Sequence, residues 1–375
     1  MSSADVPALR PGQVIGILGG GQLGRMLGMA AARLGLRTHV YDPQEACPAA
    51  DVCGEHTVAA FEDQAAMARF AAAVDAITFE WESVPIQALA ALERTPPVRP
   101  RVAALTVLQD RLSEKRFLTE LGLQTAPFEE LDTPDQLQRA LDRVGTPAIV
   151  KTRRFGYDGK GQARIMGPDD VAAALALVAQ QPCILEGFVH FEREVSVIAA
   201  RAVDGSRACY DPSENTHEEG ILRRTRVPAT LSAALREEAF AVAASILDGL
   251  DYVGVLGVEF FVTDSGLLVN EVAPRVHNSG HWTQEGCQVD QFEQHIRAVA
   301  GWPLGSTERH TDVTMVNLIG DDVQRWAEYL GTKRASLHLY GKVGVRAGRK
   351  MGHVNLADGP SLRDPSAESA SAGSE

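Results

Sequence analysis

Glu259 and Glu271 are the residues whose type and spacing most directly suggest chemistry. Between them, Asp264-Ser265-Gly266 has the composition of a three-residue hairpin loop, with glycine where a left-handed residue is needed. Centring the hairpin on Ser265 pairs Thr263 with Leu267, Phe261 with Val269, and Glu259 with Glu271. Two carboxylates directly opposite on one sheet face sit about 5 Å apart and repel. With Phe, Val and Leu beside them, hard cations between the two are the simplest remedy, and oxygen donors suit Mg²⁺. The plainer reading, two solvent-facing glutamates, leaves the repulsion uncompensated. Strict alternation turns Asn270 to the opposite face.

Other groups fall around this pair. Lys151 ends an apolar strand and precedes Arg153, Arg154 and the loop Gly156-Tyr157-Asp158-Gly159-Lys160-Gly161. Backbone N–H donors and point charges together suit a loop that closes over a polyphosphate. No G-K-[ST] ends it, so it is not a Walker A loop, and a solvated basic turn is the alternative. The segment 273–282, with Arg275, His277, Asn278, Ser279 and His281, has the donors to hold a small anion. Any one histidine there is more often a hydrogen-bonded structural residue than a catalyst. Glu186 and Glu194 could accept from ribose hydroxyls or an adenine amino group, or simply be surface charges. Lys342, Arg346, Arg349 and Lys350 form a basic cluster that suits either a monophosphate or a solvated edge.

The elements that must position these residues follow from periodicity. An apolar run at 14–18 leads into Gly19-Gly20-Gly21-Gln22-Leu23-Gly24, and 22–34 carries apolar residues at helical spacing. The turn fits G-x-G-x-x-G, with Asp42 ending the next strand (38–42), so a dinucleotide site is the direct reading and close helix packing the other. A helix over 62–74 and a strand over 76–80 complete the rhythm of a parallel sheet with crossover helices, and the prolines of 95–100 end it. A second unit has a helix at 110–121, a strand at 148–151, strands at 183–188 and 194–201, a helix at 231–247 and the hairpin at 252–272. A shorter region alternates strand and helix from Thr314 to about Leu356, and 359–375 reads as a disordered tail.

Composition removes several classes. In 375 residues, 36 basic against 49 acidic side chains give −13, a surface that does not invite nucleic-acid backbones. Five cysteines without CxxC pairing argue against a zinc site or a disulfide framework and for a reducing cytoplasm. No uncharged apolar run reaches the roughly 20 residues of a spanning helix, and a secretory leader is not expected.

In order, the nucleotide-like first unit, the lysine with its glycine loop and the Glu/Asn-Glu hairpin resemble the ATP-grasp ligases. Within them the chain resembles the N5-carboxyaminoimidazole ribonucleotide synthetase family, ATP-dependent carboxylases of de novo purine synthesis. The likeness runs from Gly19 to about Leu356 and rests on 21–26, 156–159, 270–271, 273–283 and 348–350. It implies an α/β chain with an ATP-grasp fold: a Rossmann-like domain at 1–105, a central subdomain with a glycine-rich lid loop at 106–190, and a catalytic part at 191–358 whose small subdomain starts at about 312. It further implies that ATP and hydrogencarbonate give carboxyphosphate and ADP, after which the amine of 5-aminoimidazole ribonucleotide is carboxylated.

The same resemblance gives ATP to Arg111, Lys151, Gly156, Tyr157, Asp158, Gly159, Lys160, Gly161 and Gln162, and to Glu186, Gly187, Phe188, Val189, Glu194, His217, Asn270 and Glu271. Glu259 and Glu271 take Mg²⁺. Gln22, Leu23, Glu80, Tyr157, Asp158, Lys160, Lys342 and Arg349 surround the ribonucleotide, the last two at its phosphate. Arg275, His277 and Asn278 are candidates for the hydrogencarbonate pocket and, with Asp158, for catalysis. A cytoplasmic homodimer without nucleic-acid or membrane partners is implied as well. Two departures stand out: Ala273 replaces the Asn that many ATP-grasp enzymes carry two residues after the second glutamate, and Phe155 stands where relatives often have glycine. Two other readings stay open, an NAD(P)-dependent oxidoreductase built on Gly19–Gly24 with Asp42, and a formate-dependent ATP-grasp enzyme acting on glycinamide ribonucleotide.

Overall fold

A computed structural model describes residues 8–357, apart from 91, 93–95, 157 and 158. The tail expected over 359–375 lies outside the described residues. The first unit runs β1 (Val14–Leu18), α1 (Gln22–Arg33), β2 (Arg37–Asp42), β3 (Glu55–Val58), α2 (Gln64–Ala72), β4 (Ala76–Phe79), α3 (Ile86–Ala90) and α4 (Val102–Leu108). Its strands form a parallel sheet in the order β3-β2-β1-β4. β1, an inner strand, and β4, whose outer edge is met by the single bridge from Ile77 to Val98, are almost wholly buried, as expected of parallel strands covered by helices. β3, α3 and α4 are additions to the sequence reading: β3 is only partly buried and the two helices are too short to show a period.

α5 (Arg111–Glu120) starts at Asp110, whose carboxylate accepts the N–H groups of Leu112 and Ser113. The lid unit follows as β5 (Phe128–Leu131), α6 (Leu137–Val144), β6 (Ala148–Thr152), β7 (Gln162–Ile165), α7 (Val171–Val178) and β8 (Cys183–Gly187), an antiparallel sheet in the order β5-β8-β6-β7. Val150 and Leu185 of this sheet pack with Leu137, Ala140, Ala174 and Val178 of its helices.

The rest is β9 (Arg193–Arg201), β10 (Arg207–Cys209), β11 (Ser213–Glu218), β12 (Ile221–Val227), α8 (Ala233–Gly249), β13 (Gly254–Thr263), β14 (Gly266–Ala273), α9 (Thr283–Gly286), α10 (Gln291–Ala300), β15 (Val313–Ile319), α11 (Trp326–Gly331), β16 (Ala335–Leu339) and β17 (Lys350–Ala357). One sheet runs β14-β13-β9-β11-β12-β15-β17-β16, with β10 beside β9. Alternation on β9 sends Val195, Val197 and Ala199 into the cluster under α8, and Ile198 and Ala200 into the cluster with α10. That second cluster also takes Leu23, Met26 and Leu27 of α1, so the parallel unit is docked on the large sheet through α10. His295 of α10 pins the junction: its Nε2 meets Thr78 Oγ1 at 2.7 Å, and its Nδ1 accepts the Val255 N–H at 3.0 Å.

The β13–β14 hairpin corrects the expected register. It turns on two residues rather than three, pairing Thr263 with Gly266, Val262 with Leu267, Phe261 with Leu268 and Phe260 with Val269. A β-bulge then takes up Asn270, and Glu259 pairs with Glu271 after all.

Candidate active site

A cleft of about 1440 Å³ opens between the lid unit, the large sheet and the C-terminal edge of the parallel sheet. Asn270, Glu271 and Glu259 all line this cleft, and the bulge sets Asn270 and Glu271 between Val269 and Val272, both of which pack in the cluster under α8, against the expectation from strict alternation. Burial pushes the Glu259 carboxyl up, and the charge of Glu271 opposite pushes it further. Burial also raises Glu271, but the charges of Arg111 and Lys151 and a hydrogen bond from Arg111 NH1 to Glu271 Oε2 at 3.0 Å hold it low. The pair therefore carries one partnered carboxylate and one whose ionisation costs energy. Such an all-oxygen pair fits a hard cation.

The nucleotide candidates converge on the same cleft. Lys151 on β6 donates to Glu186 Oε2 on β8 at 2.7 Å. Burial would raise Glu186, yet Lys115, Lys151 and Arg111 hold it at about 2. Its other oxygen, Oε1, is buried and accepts no hydrogen bond among the described residues. His217 Nδ1 on β11 meets Glu194 Oε2 on β9 at 2.5 Å. Burial lowers the His217 pKa, but that hydrogen bond and the Glu194 charge outweigh it and raise it. Gly156, Gly159, Lys160, Gly161, Gln162, Gly187, Phe188 and Val189 line the cleft as well. Tyr157 and Asp158 lie outside the described residues. Phe155 holds φ +62, the left-handed conformation that glycine takes freely, and stays exposed.

In the segment after β14, Arg275 is gripped by Glu82: Nε donates to Oε2 and NH2 to Oε1, the latter at 3.0 Å. NH1 donates to Val276 O at 3.3 Å. His277 is buried, and burial followed by the Arg275 charge lowers its pKa to about 3, so the ring is neutral. His277 Nδ1 meets Ser279 Oγ at 2.8 Å and accepts the Ser279 N–H at 3.4 Å, while Nε2 lies 3.5 Å from Glu259 Oε1. Asn278 lines the cleft while exchanging hydrogen bonds with Asn317 of β15: Asn278 Nδ2 donates at 3.0 Å and Asn317 Nδ2 returns one at 2.7 Å.

The glycine turn is not free to take a dinucleotide. Gly20 N–H donates to Asp42 Oδ2 at 2.7 Å, while Gly21 and Gly24 N–H donate to the Glu80 carboxylate at 2.8 and 3.1 Å. The chain's own carboxylates occupy the donors that a pyrophosphate would need, which removes the oxidoreductase reading. The glycines serve close approach instead, since a Cβ on Gly21 would lie 2.6 Å from Glu80 Oε1. Gln22, Leu23 and Glu80 all line the cleft.

Two expected phosphate ligands stand apart. Lys342 donates to Lys350 O at 2.8 Å, and Arg349 NH1 donates to Val343 O and Gly344 O at 2.7 and 3.0 Å. Neither lines the cleft, whereas Lys350, which sequence reasoning left in the general basic cluster, does. Also missed were Glu82, Glu114 and Lys115. Helical spacing on α5 puts Arg111, Glu114 and Lys115 on one face, a signal available in advance. Nothing local marks Glu82, whose partner is far along the chain.

A glycine loop and basic side chains over one side of the cleft, a carboxylate pair at its foot and a parallel unit completing it are the arrangement of the ATP-grasp class of ligases. Residues 116–292 match the ATP-grasp domain family, 13–109 the ribonucleotide synthetase preATP-grasp domain, and 313–360 the phosphoribosylaminoimidazole carboxylase C-terminal domain. The N5-carboxyaminoimidazole ribonucleotide synthase of Brucella melitensis is 55% identical over 353 residues, covering 93% of this chain and 98% of that one. The synthetase structure from Thermus thermophilus is 48% identical, with a TM-score of 0.86, over 92% of this chain and 93% of that one. The synthase from Aspergillus clavatus, solved with ADP and 5-aminoimidazole ribonucleotide, is 31% identical, with a TM-score of 0.87, over 93% and 94%. The chain belongs to the N5-carboxyaminoimidazole ribonucleotide synthase family.

Proposed function

We propose that the chain carboxylates 5-aminoimidazole ribonucleotide with hydrogencarbonate at the expense of ATP, giving N5-carboxyaminoimidazole ribonucleotide, ADP and phosphate in purine biosynthesis. The observation that carries this is the in-register Glu259–Glu271 pair at the foot of a cleft lined by Lys151, Arg111 and Arg275. The Aspergillus relative, which holds ADP and the same ribonucleotide, supports it. A hydrogencarbonate oxygen attacks the γ-phosphorus, ADP leaves, and carboxyphosphate results. The ribonucleotide amine then forms its bond to the carboxyl carbon, the carbon–oxygen bond to phosphate breaks, and the amine gives up a proton.

Glu259 and Glu271, with Asn270 beside them, would hold Mg²⁺. Bound there, the cation would neutralise the charge of the transferring phosphate. Lys151 and Arg111 set positive charge along the polyphosphate, and Glu186 Oε1 offers an acceptor to the nucleotide. Arg275 receives the hydrogencarbonate and the acyl phosphate made from it, and neutral His277 faces Glu259 with its Nε2. The loop of which Gly156 and residues 159–162 are described would keep water from the labile acyl phosphate. Gln22, Leu23 and Glu80 face the ribonucleotide, and of the C-terminal basic cluster it is Lys350 that lines the same cleft, while Lys342 and Arg349 donate to backbone carbonyls.

This reading extends to three bodies bounded at 1–105, 106–190 and 191–358, and to a homodimer in the cytoplasm, to which five unpaired cysteines are suited. The test is ADP release by the purified protein. It is expected only when ATP, Mg²⁺, hydrogencarbonate and aminoimidazole ribonucleotide are all present, and the same rate without the ribonucleotide would count against coupled carboxylation. Glu271→Gln should abolish turnover while the fold survives; wild-type rates in that variant would sink the metal assignment.

A further inference from the structure

β14 presents its functional residues only because of its bulge. The register that begins with Thr263 opposite Gly266 and reaches Phe260 opposite Val269 would, if continued, set Asn270 opposite Glu259 and turn Glu271 to the other face. The extra residue brings Glu271 opposite Glu259 instead. A bulge interrupts the ladder, so its backbone groups need partners from elsewhere when buried.

α5 supplies them. Lys115 Nζ donates to Asn270 O at 2.7 Å and lies 3.4 Å from Val269 O, while Glu114 Oε1 accepts the Val272 N–H at 2.5 Å. Glu114 and Lys115 are 3% and 1% exposed, and the hydrogen bonds of this buried carboxyl and amine go to the backbone of one strand, though the Lys115 charge also acts on Glu186. An apolar pair of the same size would fill this space without the desolvation cost, so packing alone does not account for them. The same face of α5 carries Arg111, which holds the Glu271 carboxylate itself. One helix face thus grips the bulge before, at and after the residue that faces the cleft.

We propose that Glu114 and Lys115 are positioning residues that fix the bulge of β14 and thereby set how Asn270 and Glu271 meet the metal and the nucleotide. The proposal rests on the assignment of Glu271 given above.

The test compares Lys115→Met, Glu114→Leu and Glu114→Gln with wild type and with Glu271→Gln. ADP affinity is measured by calorimetry with Mg²⁺ and in EDTA, amide exchange is followed at Val272, and KM is measured for ATP and for the ribonucleotide. Lys115→Met and Glu114→Leu should weaken ADP binding about tenfold or more with Mg²⁺, as expected for losing a buried hydrogen bond to a charged group. The effect should be smaller in EDTA, the ATP KM should rise while the ribonucleotide KM holds, and Val272 should lose protection in Glu114→Leu. Glu114→Gln keeps an oxygen acceptor and should return ADP affinity to within about threefold of wild type.

Folded Lys115→Met and Glu114→Leu proteins with wild-type ADP affinity would overturn the proposal, as would equal losses for ADP and ribonucleotide. If neither apolar variant folds, the two residues serve folding only and the proposal is overturned as well. Wild-type turnover in Glu271→Gln would instead defeat the parent assignment, whereas an inactive Glu271→Gln beside unaffected α5 variants would defeat the clamp alone.

Discussion

Glu82→Gln asks whether the anion site needs both the parallel unit and the large sheet. Glu82 follows β4, and its carboxylate accepts from Nε and NH2 of Arg275, which follows β14. That grip uses the Nε–NH2 edge of the guanidinium and fixes its plane, while NH1 donates to Val276 O; the N–H groups of NH1 and NH2 not used in these bonds are the ones left to hold an oxyanion. A hydrogen bond to a charged group contributes about 1.5–3 kcal/mol, and glutamine keeps one of the two acceptor oxygens. The Glu82 and Arg275 side chains are 32% and 19% exposed, so solvent screens part of the loss. The remaining penalty is about 1–2 kcal/mol. At 1.36 kcal/mol per decade, that is roughly a 5- to 30-fold fall in kcat/KM for hydrogencarbonate. The assay is ADP release with hydrogencarbonate varied at saturating ATP and ribonucleotide, then with each of those varied in turn. The loss should concentrate in the hydrogencarbonate term. A Glu82→Gln enzyme within about twofold of wild type for hydrogencarbonate, or one that loses equally for all three substrates, would refute the reasoning.

Gly21→Ala would place a Cβ 2.6 Å from Glu80 Oε1 and push that carboxylate off the Gly21 and Gly24 N–H groups. Steady-state kinetics should show the ribonucleotide KM raised about tenfold with the ATP KM unchanged. Acid should weaken the junction at His295, whose pKa burial lowers to about 3. The unfolded chain then binds more protons below about pH 6.5, so the stability held by neutral His295 is complete above that pH and falls by about 1.4 kcal/mol at pH 5.5. Denaturant unfolding of wild type and His295→Asn across pH 5 to 7.5 checks this, with a flatter acid limb expected in the variant.

Local strings carried much of the architecture. The β1 strand, the α1 and α5 helices and the β13–β14 hairpin all lie where periodicity put them, because each buries a face set by its own residues. Site residues within continuous motifs, such as Lys151 and Glu186, were also open to reading, since strand alternation aims them together. Glu82 and Lys115 were not, because their partners Arg275 and Asn270 are brought near only by the packing of separate units. Asn278 read as a ligand from its motif, yet its amide is tied to Asn317 on a strand that no local pattern links to it.

The carboxylate pair shows how a correct pairing can follow from an incorrect turn. A three-residue loop with regular pairing and a two-residue loop with one bulge both bring Glu259 opposite Glu271. The two arrangements differ in what happens at Asn270. Regular pairing turns it away from the cleft, and the bulge turns it in. Alternation along β14 could not report this, because a bulge is defined by the partner strand and by what satisfies the backbone it interrupts. Here that support comes from α5, roughly 150 residues earlier in the chain. Under the proposed metal assignment, the lack of Asn two residues after Glu271 would not leave the ion short of an amide. Asn270, one residue before Glu271, would supply it by a change of backbone register rather than by a change of strand.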